Sequence, residues 1–469
     1  MSADPRLSRR LVAVVVGATL LAGGAVSAGI LSVNAGAPGP AAPPSAGPTA
    51  VEPTVEPTAG PTAEPQEQQP QPPADTATSW VGTWATAPTA VPETGVEHLE
   101  DVTVRQVVHT SIGGDQVRLR LTNEFGEETL VLGEVHVALR DGADGTDLDP
   151  ATDRTVTFGG ATSVTVPAGA PLVSDPVDLV VPPDADLVVS SYLPEPTAVT
   201  TVHHFPFQVN AVAQGNVTAE PSVNRVRELD QWLFLSGVSV AAPAGSAAVV
   251  TLGDSITDGA ATRVGANHRW PDLLGDRLRD APRLADRGVL NVGISGNRLL
   301  HPNPDADKER ESFAAYLGHS GLRRFDRDVL AQPGARYVIT LLGVNDIGQA
   351  GGRSAPADEA VTAQQLIDGH RQVVARGRTA GLTVYCGTIL PFGGTPGYDT
   401  PRNEAVRHAL NEWIRTSGEC DAVIDFDAAV RDPAEPTALR AEYDSGDHLH
   451  PNDAGMAAMA DAVPLHLFR

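Results

Sequence analysis

The sequence predicts two folded parts in series: an all-β sandwich that is jelly-roll-like, then an α/β domain built on a parallel five-stranded sheet. Three observations carry this. From Trp80 to about Ala242, short runs alternate apolar and polar positions, as in Val117, Leu119 and Leu121 against Arg118, Arg120 and Thr122, the period of a half-buried strand. Gly, Pro and Asp interrupt those runs at close spacing, and sandwiches need such turns. After "APAGS" at 242–246, apolar strands alternate with amphipathic helices. That is the pattern of a parallel sheet covered on both faces.

In chain order, Arg6, Arg9 and Arg10 precede an unbroken run of apolar and small residues, Leu11 to Val33. A basic segment before an apolar one is the secretory pattern, and Ala28 and Ala37 each end a small-residue cleavage candidate. At about 1.5 Å per residue the run is also long enough to span a bilayer. Residues 1–37 therefore read as a signal peptide or as an N-terminal membrane anchor, and both readings place the rest outside the cytoplasm. Residues 38–78 carry loose Glu-Pro-Thr repeats and no aromatic residue. They read as a disordered linker, either a semi-rigid spacer or plain filler.

Residues 79–242 form the expected β part. Strand candidates are "TVRQVVHTSI", "QVRLRLTNEF", "LVLGEVHVALR", "TVTFGG", "TSVTVPAG", "DLVVSSYLP" and "WLFLSGVSVAA". This accessory part can bind carbohydrate, roof an active site or serve as scaffold. Residues 247–469 form the α/β part. Its strands are "AVVTLGD", "LNVGISG", "YVITLLGVND", "LTVYCGTIL" and "AVIDFD", with helix candidates between them and a last helix after "HPNDAG".

The chain holds 33 Lys and Arg against 58 Asp and Glu, a net charge of −25. Phosphate backbones need basic surfaces, so a nucleic-acid partner is excluded, and contact with a membrane is confined to the N-terminal segment. The two cysteines, Cys386 and Cys420, show no zinc spacing. Both lie at or beside neighbouring predicted strands, and in an exported protein they can pair.

Ligands of open parallel sheets bind beyond the carboxyl ends of the strands. The first three strands end on Gly253-Asp254-Ser255, on Gly293 to Asn297 and on Gly343-Val344-Asn345-Asp346. Near the C-terminus, Asp447 and His450 stand three residues apart in "DSGDHLHPNDAG". A serine hydroxyl, an imidazole to take its proton and a carboxylate to orient the imidazole make a nucleophile for acyl transfer. The N–H groups of Ser255 and Gly296 and the side-chain amide of Asn345 would supply the oxyanion donors. Asp254 and Asp346 read as hydrogen-bonding supports for their loops. Ser255 has a competing role as the cap of the helix behind it.

Gly-Asp-Ser at 253–255, Gly296, Gly343-x-Asn345-Asp346 and Asp447-x-x-His450-Pro451 resemble the four sequence blocks of the SGNH (GDSL) hydrolase superfamily, in order, across about half the chain. The resemblance implies a flavodoxin-like sheet and a serine esterase with neither cofactor nor metal. It implies Ser255 as nucleophile, His450 as base, Asp447 as its orienting partner, and Ser255, Gly296 and Asn345 as oxyanion donors. The flanking segments resemble secreted bacterial carbohydrate esterases, which implies deacylation of acetylated polysaccharide. A lipase or lysophospholipase with the same machinery, and a non-catalytic carbohydrate-binding protein on this fold, are the alternatives.

Other residues read as bystanders. Ser295 lacks the spacing of a nucleophile elbow and reads as a turn residue. His448 with His450 has no third metal ligand at helpful spacing. His203 and His204 read as structural, Asp258 and His268 as solvated surface or substrate contacts, and Trp232 and Trp270 as packed.

Overall fold

The protein is described by a computed structural model covering residues 78–302, 313–352 and 354–469. The signal or anchor segment and nearly all of the linker lie outside the described residues. Among the described residues, no helix is long and apolar enough to cross a membrane.

The β region begins with β1 (Thr78–Ala85), β2 (Val102–Thr110), β3 (Gly114–Thr122), β4 (Val135–Leu139), β5 (Ala185–Leu193), β6 (Asn210–Gln214) and β7 (Leu235–Pro243). Two antiparallel sheets hold them. One orders β1, β7 and β3, with Pro171–Val173 and Val177–Val181 both paired to β3. The other runs Arg225–Leu229, β6, β2, β5, β4, Arg154–Thr155. The alternation on β3 does its expected work: Val117, Leu119 and Leu121 are buried while Arg118 and Arg120 are part-exposed. Two predicted runs break. "LVLGEVHVALR" divides at Gly133 into Leu130–Leu132 and β4. "WLFLSGVSVAA" divides at Phe234, whose φ of 56° cannot continue a strand.

The α/β region has a parallel sheet of β8 (Ala247–Gly253), β9 (Arg287–Asn291), β10 (Ala335–Leu341), β11 (Thr383–Gly387) and β12 (Ala422–Ile424). Its order is β9-β8-β10-β11-β12, the 2-1-3-4-5 order of flavodoxin-like sheets. Around it lie α1 (Ser255–Asp258), α2 (Trp270–Arg279), α3 (Gly321–Phe325), α4 (Val344–Gly348), α5 (Ala363–Thr379), α6 (Pro401–Thr416), α7 (Phe426–Val430) and α8 (Asp453–Ala462). The second strand ends at Asn291, earlier than its sequence suggests. Its last ladder partner is Thr251, and Gly293 to Gly296 are released as a loop over the first strand's tip.

The two regions share one hydrophobic core. β9 is an edge strand of the parallel sheet, and the β region covers it. The Val289 N–H donates to Ser111 Oγ at 2.9 Å. The backbones touch at Gly82 and Gly288, where a side chain on Gly288 would strike the Gly82 carbonyl. An otherwise unpaired edge is thereby closed.

Cys386 on β11 and Cys420 just before β12 form a disulfide with Cα atoms 6.0 Å apart. It closes a loop with a sequence separation of 34, for which chain entropy gives about 3–4 kcal/mol. The Cys386→Ala, Cys420→Ala variant should lose about that much in urea unfolding, and reductant should lower only the parent's midpoint. Equal unfolding midpoints for parent and variant under oxidising conditions would refute this.

Candidate active site

The carboxyl ends of β8, β9 and β10 deliver three short segments to one place. α1 starts directly after β8, and its N-cap is Asp254, whose Oδ1 accepts from the Ile256 N–H at 3.1 Å. The capping role offered to Ser255 thus belongs to its neighbour. Ser255 is the first helical residue, so its N–H has no acceptor inside the helix. Its Oγ lies 2.8 Å from His450 Nε2.

His450 is fixed by Asp447. Nδ1 is 2.6 Å from Asp447 Oδ2, and the N–H groups of Leu449 and His450 donate to Oδ1 at 2.9 and 2.8 Å. Burial pushes the Asp447 carboxyl up. The hydrogen bond and charge of His450 and the two N–H groups outweigh it and hold Asp447 well below the usual carboxylate range. An ionised Asp447 only accepts, so Nδ1 carries the proton and Nε2 turns its lone pair to Ser255. His448 turns away and pairs with Asp444 at 2.6 Å.

Gly296 sits in the loop after β9 with φ 77°, and a side chain there would collide with Leu317. Glycine alone takes both constraints without strain. Among the described residues the Gly296 N–H makes no backbone hydrogen bond, and its carbonyl accepts from Gln349 Nε2 at 2.9 Å. Asn345 in α4 donates one Nδ2 hydrogen to the Asn297 carbonyl at 3.0 Å and accepts from the Tyr398 hydroxyl at 2.8 Å. Its amide orientation is set at both ends, and one N–H remains. Asp346 accepts from the Leu299 and Leu300 N–H groups at 2.7 and 2.9 Å. Burial raises its carboxyl to about 6 against those two bonds.

Asp258 is a buried tie, not a solvated surface group. Oδ2 accepts from both the N–H and the hydroxyl of Ser295, at 2.8 and 2.7 Å, and Oδ1 lies 3.0 Å from His203 Nε2. His203 Nδ1 meets the Ala87 carbonyl at 2.9 Å. The β region thus holds the residue next to Gly296. His268 pairs with Asp453 at 2.8 Å, while Trp232 and Trp270 are buried.

Ser255, Gly296, Asn345 and His450 all line one cleft of about 390 Å³. Phe205 and Phe207 line it too, with φ of 64° and 49°, a conformation that costs a bulky residue about 1–3 kcal/mol. Sequence reasoning missed them, and also missed Tyr398 and Gln349. The one local signal was aromatic density: "HHFPF" stands in a chain that is 4% aromatic. Burial pushes the imidazole of the adjacent His204 down to about 4, and its ring stacks on Tyr316 at 4.0 Å.

Residues 251–458 match the GDSL-like Lipase/Acylhydrolase family. The chain carries a GDSL-like ester hydrolase domain. No curated protein matches the chain. Solved structures similar to it include an α/β hydrolase enzyme from the metagenome of Lake Arreo, Spain (21% identity, 47% of this chain and 93% of that one, TM-score 0.34). An aryl esterase from M. smegmatis is similar at 17% identity over 46% of this chain and 95% of that one, TM-score 0.34. An acetyl xylan esterase from Geobacillus stearothermophilus is similar at 19% identity over 46% of this chain and 92% of that one, TM-score 0.34.

Asp254 has the most unusual electrostatics in the GDSL domain. It is fully buried, and Oδ2 has no hydrogen-bond partner among the described residues. Burial, with Asp346 adding to it, raises the carboxyl to about 7 against the Ile256 N–H, His450 and Arg324. The folded state then keeps a proton that the unfolded chain releases, so stability falls as pH rises from about 4 to about 7. Asp254→Asn keeps the cap and removes this cost. Its stability relative to the parent should rise between about pH 4 and about pH 7, read from urea midpoints. A difference that does not change with pH would contradict it.

Tyr398→Phe removes the bond that orients Asn345 and keeps the ring. Turnover should fall roughly tenfold, short of the 10²–10³ for deleting an oxyanion donor outright, with KM nearly unchanged. A rise in KM at constant kcat would show that Tyr398 binds substrate instead.

Proposed function

We propose that the protein is an exported serine esterase that removes small acyl groups from acylated polysaccharide through an acyl-enzyme. The observation that carries the chemistry is the continuous line Asp447–His450–Ser255, opening into a cleft with spare donors at Ser255, Gly296 and Asn345. Ser255 Oγ attacks the ester carbonyl as its proton passes to His450 Nε2. The carbonyl oxygen becomes an oxyanion and takes hydrogen bonds from the two N–H groups and the amide. The bond to the alcohol oxygen breaks, and His450 returns the proton to that oxygen. Water then attacks the acyl-enzyme and loses a proton to His450. The bond from Oγ to the acyl carbon breaks, and the proton goes back to Ser255.

Support for the polymer comes from the basic and apolar N-terminus, the Pro-rich stretch after it and the aromatic side of the cleft. Among the described residues that line it, none is Asp, Glu, Lys or Arg, which suits a neutral substrate. The apolar side chains of Phe313, Leu317 and Leu449 on the same cleft favour a second reading, a lipase or lysophospholipase.

The test is a substrate panel on the purified protein: p-nitrophenyl esters of short and long acids, acetylated xylan and a lysophospholipid. Short esters and acetylated xylan should be turned over, and Ser255→Ala should lose every activity while unfolding within about 1 kcal/mol of the parent. Preference for long acyl chains would replace the first reading with the second. Residual turnover by the alanine variant would remove Ser255 from the mechanism.

A further inference from the structure

The Phe205–Pro206–Phe207 turn is built at a conformational cost and held in place from outside its own region. Both phenylalanines are left-handed, and Phe205 precedes a proline, which disfavours anything but extended backbone. Arg269 donates to the Pro206 carbonyl. The Gly265 N–H donates to the Phe207 carbonyl at 2.9 Å. His204, just before the turn, accepts from Gln231 Nε2 at 2.8 Å and is stacked on Tyr316.

Phe234 shares the same backbone strain, but it is 4% exposed and packs in the core. Burial of its ring accounts for its position. Phe205 and Phe207 are less fully buried, and although the Phe205 ring meets His204 at 4.1 Å, both line the cleft with Ser255 and His450. Burial in the core, which accounts for Phe234, therefore does not account for these two strained positions. Strain that persists without a packing reason concentrates at binding sites.

The shape of the surface indicates its ligand. The two rings lie 6.5 Å apart and within 19° of parallel, and Phe205 meets the Phe313 ring at 5.9 Å. Phe313 is 55% exposed. Near-parallel aromatic rings along one side of an open cleft suit a flat ring, whereas an alkyl chain gains most from an enclosing tunnel.

We propose that the Phe205–Pro206–Phe207 turn is a ring-binding wall, which selects esters whose alcohol presents a flat ring face. This rests on the polysaccharide reading above, in which the acyl group is small and the ring is the pyranose that carries it. An aryl alcohol presents the same kind of face, and the test separates the two.

Steady-state kinetics on three acetates keep the acyl group constant: acetylated xylo-oligosaccharide, phenyl acetate and ethyl acetate. Each variant is compared with the parent on the same substrate, which cancels leaving-group reactivity. Phe205→Gly accepts the left-handed backbone and deletes the ring. It should lose about tenfold in kcat/KM on the ring-bearing acetates and stay within about threefold on ethyl acetate. Phe205→Tyr should keep the parent's preference. The melting temperature of Phe205→Gly should be unchanged or raised, because strain is relieved.

Equal losses on all three acetates, or no loss on any, would overturn the wall. So would a lowered melting temperature with no change in preference, the mark of a structural turn. If the parent ignores the oligosaccharide and the glycine variant loses phenyl acetate selectively, the wall stands and the polysaccharide reading falls.

Discussion

The site depends on one buried cation. Arg324 is fully buried in α3, and its guanidinium reaches the backbone where the first two strands of the parallel sheet give way to loops. Nη2 donates to the Gly253 carbonyl at 2.8 Å, Nη1 to the Val292 carbonyl at 2.6 Å, and Nε to Asn297 Oδ1 at 3.0 Å. Those acceptors precede Ser255, precede Gly296 and anchor the loop whose carbonyl holds Asn345. One planar fork thus ties the ends of two paired strands to the loop that follows them. Its charge is balanced by Asp328, which also binds Arg327, and Arg327 continues to the Pro88 carbonyl in the β region. Breaking such a buried pair typically costs about 3–5 kcal/mol, so the geometry above it is stiff.

The same logic runs through the contact between the two regions. The β region closes the exposed edge of β9 and reaches the Ser295 loop through His203 and Asp258. It also contributes Phe205 and Phe207 to the cleft. An appended scaffold would need none of these. The parallel sheet supplies the reacting groups, and the β region fixes one oxyanion loop and shapes the wall facing it.

What the sequence made legible follows from locality. The strand tips at Ser255, Gly296 and Asn345, and the Asp447–His450 pair, each lie within a few residues of a periodic element or of each other, so pattern and spacing locate them. Arg324 also lay in a segment read correctly as helical. Its role was invisible because "GLRRF" looks like an ordinary amphipathic turn, and only the fold decides which arginine faces the strand ends. Asp258 reads from sequence as solvated surface or a substrate contact, because nothing nearby in the chain offers it a partner. Its partners come from Ser295 and from the β region's His203, contacts that no local window contains. Tyr398 and Phe205 were missed for the same reason. The left-handed backbone at Phe205 and Phe207 carries no residue-type signature, since composition there would favour glycine or asparagine.

Two carboxyl groups flank the reacting atoms, and their environments push them in opposite directions. Asp447 is half-exposed and surrounded by the imidazole and two N–H donors, so it stays ionised and can balance a proton gained by His450. Asp254 adjoins Ser255 in sequence but is buried, and one of its carboxyl oxygens has no partner among the described residues. Burial favours its neutral form. That difference matters because an oxyanion develops beside Ser255. A second buried negative charge at Asp254 would oppose it at low dielectric, where such repulsion is strongest. A neutral Asp254 still caps α1, and so leaves the Ser255 N–H and the positive end of that turn facing the oxyanion. Placing one carboxyl in the open and the other in the core lets both stand next to the same chemistry, one supplying charge and the other withholding it.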